Sequence, residues 1–236
     1  MTLKYDLHTH ILPAVDDGAK NAEESLLLIN ALRKQGVLNV CLTPHFYTHK
    51  ESMEDFLERR NAAYRELLPL LPDDMNFKLG AEVYVTKYLF AEERDITALC
   101  IEGTPYMITE FSYDSAFSGE TMRLLTQLRN LGIIPVLPHV ERYPNLLKSK
   151  SLLEELIYMG VIIQSNTVSY TESLKKRKLA NFIKSGHIHV LSTDVHNMNR
   201  NSPESISEAL EFIKKKCLAS SVDKLNSNAK DVFEGL

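Results

Sequence analysis

The sequence predicts a parallel α/β barrel, and three observations carry that reading. A unit made of a helix, a Gly, a short β-branched run and a terminal His, Asp or Asn recurs four times. The runs are almost wholly apolar, as strands covered on both faces must be. Potential ligands fall at the ends of nearly all of them, whereas an open doubly wound sheet would gather its ligands at one switch point between two strands. With 236 residues and no linker rich in Gly, Pro or Ser, residues 1–236 read as a single domain.

The elements follow in chain order. Tyr5 to His8 is a first short buried strand. Asn21 is the expected N-cap of a helix with Glu24 at the capping-box position, running through Leu26, Leu27 and Ala31 to Gly36. Val37 to Thr43 is then a strand that ends in Pro44-His45. Pro69 to Asp74 is a loop leading into a strand from Phe77 to Tyr84, which carries Glu82, and Met107 to Phe111 is a strand carrying Glu110. The second repeat runs from Glu120 through Leu124, Leu125, Leu128 and Leu131 to Gly132, then along Ile133 to Leu137 into Pro138-His139. The third places a helix over Leu152 to Met159, then Gly160, a strand from Val161 to Gln164, and Ser165-Asn166 at its end. The fourth places a helix over Thr171 to Lys184, then Gly186, a strand from His187 to Ser192, and Thr193-Asp194. That makes seven strands.

Composition narrows the function. Apolar residues make up 44% and charged residues 25% of the chain, as in soluble globular proteins. No apolar run approaches the roughly 18 residues a membrane span needs, and Lys4, Asp6 and His8 occupy the place of a signal peptide's apolar region. The expected compartment is the cytoplasm. A net charge of -4 argues against a nucleic-acid partner bound through phosphate neutralisation, and Lys214-Lys215-Lys216 reads as one solvated helix face. Cys41, Cys100 and Cys217 are expected to be free thiols. None is followed six positions on by Arg, which excludes a cysteine-dependent tyrosine phosphatase, and no P-loop or GxGxxG run offers a nucleotide cradle.

The chemistry gathers in nine side chains: His8, His10, Asp17, His45, Glu82, Glu110, His139, Asp194 and His196. His8 and His10 lie one residue apart on an extended backbone, so both imidazoles point to the same side. Asp194-Val195-His196 repeats that spacing. Imidazole and carboxylate without thiolate suit catalytic manganese, iron or zinc rather than a structural zinc cage. Nine donors exceed the needs of one ion, so two or three divalent or trivalent ions sharing carboxylates are expected, an arrangement that can clamp both oxygens of an in-line phosphoryl displacement. Asp17 is the expected ligand of the Asp16-Asp17-Gly18 turn and Asp16 its shaper. His49, His187 and His189 fall outside the pattern and read as surface or packing residues.

His8-Thr9-His10-Ile11-Leu12-Pro13, Asp16-Asp17-Gly18-Ala19, Thr43-Pro44-His45, Ala81-Glu82, Pro138-His139-Val140-Glu141-Arg142-Tyr143 and Ser192-Thr193-Asp194-Val195-His196-Asn197 together resemble the metal-dependent bacterial protein-tyrosine phosphatases of the PHP (polymerase and histidinol phosphatase) superfamily, CpsB/YwqE type. The resemblance spans nearly the whole chain in order. It implies a distorted (β/α)7 TIM-like barrel, the PHP fold, and hydrolysis of phosphotyrosine by a metal-activated hydroxide. It further implies that His8, His10, Glu82 and Asp194 hold one ion, Glu82, Glu110 and His139 a second, and Asp17, His45 and His196 a third, with manganese the first expectation. Arg142, Glu110 and Asp194 are the implied catalytic residues, and Arg142, Tyr143 and Arg200 the implied substrate contacts. The family's Gly before the last Arg is absent from Asn197-Met198-Asn199-Arg200, which leaves Arg142 the principal phosphate ligand. The implied partner is the phosphotyrosine tail of a bacterial tyrosine autokinase controlling capsule or exopolysaccharide synthesis. The rivals are a small-molecule phosphatase of the histidinol-phosphate kind and a scaffold that binds phosphotyrosine tails without turnover.

Overall fold

The computed structural model describes residues 2–91, 94–171, 174–218 and 220–236. It is an α/β fold built on parallel strands: β1 (Tyr5–Thr9), β2 (Asn39–Leu42), β3 (His45–Tyr47), β4 (Asn76–Leu79), β5 (Glu82–Tyr84), β6 (Tyr106–Glu110), β7 (Ile134–Leu137), β8 (Ile162–Asn166) and β9 (Val190–Ser192). Among the described residues, α-helices cover them: α1 (Ala22–Lys34), α2 (Met53–Leu67), α3 (Glu120–Asn130), α4 (Pro144–Lys148), α5 (Lys150–Tyr158), α6 (Lys176–Lys184), α7 (Ser205–Lys216) and α8 (Ser220–Glu234). Helices α1, α3, α5 and α6 stop just before Gly36, Gly132, Gly160 and Gly186, where the repeat places their ends. Asn21 caps α1 by accepting from Glu24 N–H, but Glu24 reaches back to Lys20 N–H instead of closing a capping box on Asn21. The helix expected from Thr171 begins at Lys176, and Glu172 and Ser173, in its expected first turn, lie outside the described residues.

Among the described residues, nine short strands replace the expected seven. The stretch from Phe77 to Tyr84 is broken at Gly80-Ala81 into β4 and β5, and His45 to Tyr47 forms the extra strand β3. Both breaks have one cause. The chain passes from one sheet to the other, so that β2 pairs with β4 in a sheet of order β1-β2-β4, while β3 pairs with β5 in a sheet of order β3-β5-β6-β7-β8-β9. At the crossing Gly80 runs so close to Thr43 that a Cβ would stand 3.2 Å from the Thr43 methyl. Two parallel sheets, rather than one continuous ring of paired strands, therefore make up the framework. They meet again beyond β1 and β9, where Asp194 N–H donates to His8 O and His10 N–H to Val195 O, each at 2.9 Å.

Packing places this seam in the interior. Strand residues such as Leu7, Val40, Val83, Ile108, Val136, Ile163 and Leu191 are buried, and apolar faces of the helices close over them. His8, His10, Glu110, His139, Asp194 and His196, all buried, lie at or just past the carboxyl ends of strands, and Glu82, also buried, opens β5 just after β4 ends. Cys41 and Cys100 are buried free thiols and Cys217 is a partly buried one. Among the described residues, no helix is long and apolar enough to cross a membrane.

Candidate metal centre

His8 is the fourth residue of β1, and its neighbour at the same-side position, His10, follows the strand end; both are fully buried. The hydrogen bonds behind the rings orient them. His8 Nδ1 faces Gln164 Oε1 at 3.4 Å, and His10 Nδ1 meets Asp16 Oδ2 at 2.7 Å. With a proton on each Nδ1, the two Nε2 lone pairs point forward, and they stand 3.1 Å apart. Asp16 thus does more than shape its turn. It also accepts from His45 N–H and Gly18 N–H, each at 2.9 Å. Gly18 in turn lies on the His10 backbone so closely that a Cβ would come within 2.0 Å of His10 O.

Glu82, the first residue of β5, is the hub. Its Oε2 lies 3.2 Å from His8 Nε2, 3.3 Å from His10 Nε2 and 2.8 Å from His45 Nδ1, and its Oε1 lies 2.8 Å from His139 Nε2. The parallel register that pairs His45 with Glu82 brings the third contact about. Asp194 Oδ1 stands 3.6 Å from His8 Nε2 and 3.3 Å from His10 Nε2. Glu110 Oε1 is 3.6 Å from His139 Nε2. Asp17 Oδ1 is 3.5 Å from His45 Nε2 and 3.4 Å from His196 Nε2. All nine expected donors therefore meet at one place. Among the described residues, three groups have ligand atoms close enough for one ion each: His10, Asp17, His45 and His196; His8, His10 and Glu82; and His45, Glu82 and Glu110. His10 and His45 each belong to two groups, so the grouping is more interleaved than the implied partition.

The residues fit a metal. Glu82 Oε2, His45 Nδ1 and His196 Nε2 are buried without a hydrogen-bond partner although they face other polar atoms across short gaps. Buried polar atoms in native proteins are paired, and convergent lone pairs repel unless a cation or proton lies between them. Two of the nine donors sit on strained backbone, His139 at φ 36° and Asp194 at φ 57°. A non-glycine residue there costs of order 1–3 kcal/mol, tolerated where geometry is dictated by function.

Charge is organised around the same atoms. Burial disfavours a charge on His10, yet Asp16, with Asp194 and Glu82, holds its pKa well above the usual imidazole value. His8 is also raised, burial being outweighed by Glu82 and Asp194. Glu82 is held well below the carboxylate range against its burial, chiefly by His8 and His45, and Asp194 likewise by His8 and His10. Glu110 is raised by burial and by the neighbouring charge of Glu82. A cation entering must displace protons from His8 and His10, and these protons compete better as pH falls. Affinity for Mn2+ should therefore rise with pH, by about tenfold per pH unit for each imidazole below its pKa. Calorimetric titration in buffers of different ionisation enthalpy reads the proton release directly, and zero release would contradict it.

Arg142 overlooks the cluster, half-buried, with Nη2 2.6 Å from Asp194 Oδ2 and Nη1 3.1 Å from the Tyr113 hydroxyl. The Tyr113 hydroxyl donates to Glu110 Oε1 at 2.6 Å. Arg200 sits outside, exposed, with Nη1 2.5 Å from Asp17 Oδ2. The expectation for Tyr143 is corrected. It is fully buried, its hydroxyl bonded to the backbone of Phe111 and its ring stacked beneath His139, so it offers no face to a substrate. An aromatic at the rim is Tyr113, 41% exposed. Beyond Asp17 a cavity of about 340 Å³ opens, walled by Lys20, Glu24, Leu27, Leu28 and Met198. His49 lies exposed against Tyr47 and Tyr84, while His187 and His189 bond locally to Ser185 and Ile163.

Sequence reasoning overlooked Tyr113, Gln164 and Asn201 and left Asn166 without a role. Asn166 and Asn201 both donate to Asp194 Oδ2, at 2.8 and 3.0 Å. The available signal was Gln164-Ser165-Asn166, two amides at same-face spacing ending an otherwise apolar strand.

The model of the family described as "Capsular polysaccharide synthesis, CpsB/CapC" matches residues 4–234. The chain is 31% identical over 227 residues to the tyrosine-protein phosphatase CpsB of Streptococcus pneumoniae, covering 89% of this chain and 90% of that one. It is 27% identical over 215 residues to the tyrosine-protein phosphatase YwqE of Bacillus subtilis, covering 89% and 84%. A crystal structure from work on YwqE of Bacillus subtilis and CpsB of Streptococcus pneumoniae, described as metal-dependent tyrosine phosphatases, superposes with a TM-score of 0.83 at 25% identity over 98% of this chain and 94% of that one. The histidinol phosphate phosphatase of Lactococcus lactis shares the fold at 14% identity and a TM-score of 0.51, over 92% and 94%. Over residues 4–234, from the start of β1 into the carboxyl-terminal helix α8, the chain belongs to the CpsB/CapC family of capsular polysaccharide synthesis.

Proposed function

We propose that this chain is a metal-dependent phosphotyrosine-protein phosphatase acting on the phosphotyrosine tail of a bacterial tyrosine autokinase that regulates capsule or exopolysaccharide synthesis. The observation that carries the reading is the convergence of five imidazoles and four carboxylates around Glu82 with one guanidinium at the rim, in a chain whose relatives are named tyrosine-protein phosphatases. Residues 1–236 act as one cytoplasmic metallophosphatase domain, a distorted (β/α)7 barrel closed through the contacts between β1 and the turn after β9.

His8, His10, Asp17, His45, Glu82, Glu110, His139, Asp194 and His196 would hold two or three ions, manganese before iron or zinc. When bound, such ions supply a nucleophile at neutral pH and neutralise charge on the phosphoryl group. Arg142 turns one arm of its fork from Tyr113 onto the phosphate while the other stays with Asp194, and Arg200 adds a second cation beside Asp17. The leaving phenolate, with a pKa near about 10, needs less proton assistance than a serine alkoxide. Buried Glu110 and Asp194 would act on the phosphate only through the ions they would hold, and the Tyr113 ring, not Tyr143, borders the substrate's aromatic ring.

The test is turnover of a phosphotyrosine peptide beside histidinol phosphate at equal Mn2+ loading. Phosphotyrosine should be preferred in kcat/KM. Preference for histidinol phosphate would favour the small-molecule rival, and binding without phosphate release would favour the scaffold.

A further inference from the structure

Strand β8 lies between β7 and β9 in the sheet, yet its end contributes none of the nine donors. Its two inward side chains are fully buried amides instead. Gln164 Oε1 accepts from His139 N–H at 2.9 Å and faces His8 Nδ1 at 3.4 Å. Gln164 Nε2 donates to Asn166 Oδ1 at 2.8 Å, and Asn166 Nδ2 donates to Asp194 Oδ2 at 2.8 Å. The outward side is fixed by Glu141, buried, whose carboxylate accepts from Asn166 N–H and from the hydroxyls of Ser165 and Ser169, each at 2.9 Å.

We infer that Gln164 and Asn166 form an amide ladder that positions three donors from three different elements, His8, His139 and Asp194, and so sets the affinity of the cluster for its ions. Only an amide can do this at both rungs, because each must accept on one side and donate on the other. A carboxylate would add charge to a site whose donors already include four carboxylates, and a hydroxyl would not reach. His10 rests on the charged Asp16, whereas His8 rests on a neutral amide, so the two imidazoles of the His8-Thr9-His10 pair are tuned differently by what stands behind them. Gln164 also pins the strained backbone of His139. These are positioning residues, since neither amide faces the mouth.

This inference rests on the metal-site reading above, and binding of Mn2+ alone to the metal-stripped full chain separates the two. If the unaltered protein binds no Mn2+, the site reading fails; the ladder is judged by the variants. Gln164→Met should weaken Mn2+ binding by about 10–100-fold in chelator competition. Gln164→Glu, which keeps the acceptor for His8 and His139, should lose less. Asn166→Asp, which faces Asp194 with a like charge, should weaken binding as well. Combining Gln164→Met with Asn166→Asp should cost less than the product of the single losses, because the rungs act in series. Gln164→Met within twofold of the unaltered protein, equal losses in Gln164→Met and Gln164→Glu, or single losses that simply multiply would each overturn the ladder. A purely structural role would instead lower the unfolding midpoint of the metal-free protein and leave Mn2+ affinity in place. Should Gln164→Met fail to fold, Gln164→Glu with Asn166→Asp carries the comparison.

Discussion

Glu82→Gln should abolish phosphatase activity and cut Mn2+ affinity by more than about 100-fold, beyond what loss of a group behind the ligands costs. Glu82 is the one carboxylate that touches His8, His10, His45 and His139 together. It belongs to two of the three groups able to hold an ion. The amide keeps the shape and removes the charge, and its nitrogen turns a donor toward lone pairs that need a cation. Elemental analysis and the metal-induced rise in unfolding midpoint check the result without reference to turnover. A Glu82→Gln protein that still binds Mn2+ tightly through two sites would show that Glu82 is not shared, and would leave His10, Asp17, His45 and His196 as the principal centre.

Much of this centre was legible in the sequence because period-two spacing and strand-end position are local properties. His8-Thr9-His10 and Asp194-Val195-His196 declare their geometry without any knowledge of the fold. The division of labour between Asp16 and Asp17 was only half legible. Both lie in one turn, but which carboxylate meets His10 Nδ1 depends on how that turn folds back over Gly18. Strand count was misjudged for a similar reason. Phe77 to Tyr84 reads as one apolar run, and only the crossing against Thr43, a contact between segments far apart in sequence, breaks it at Gly80. Tyr143 shows the converse. Its place in the His139-to-Tyr143 block suggested a substrate contact, but the short turn Val140–Arg142 rotates successive side chains around its axis, sending Arg142 to the mouth and Tyr143 beneath His139. Gln164 and Asn166 share the alternate spacing of His8 and His10 at a strand end, but they carry no charge and are poor metal ligands, so the spacing alone did not single them out.

Arg142→Ala should lower kcat/KM for a phosphotyrosine peptide by about 10²–10³-fold, the usual cost of removing one donor aimed at developing charge. Unlike Glu82→Gln it should leave Mn2+ content unchanged. Asp194 Oδ2 keeps Asn166 and Asn201 as donors when the guanidinium is gone, so the ligand remains held. Arg142→Lys should recover little, because one ammonium cannot span the separation between Asp194 and Tyr113 that the fork now bridges. Competitive inhibition by inorganic phosphate should weaken in parallel with the loss in kcat/KM, since the same contact binds the product. Arg200→Ala should cost far less: its partner Asp17 is 54% exposed at the side chain, and such surface pairs contribute about 0–1 kcal/mol. If Arg142→Ala stays within tenfold while Arg200→Ala falls a hundredfold, the phosphate enters from the Asp17 side, through the cavity walled by Lys20 and Met198, and the roles of the two arginines are exchanged.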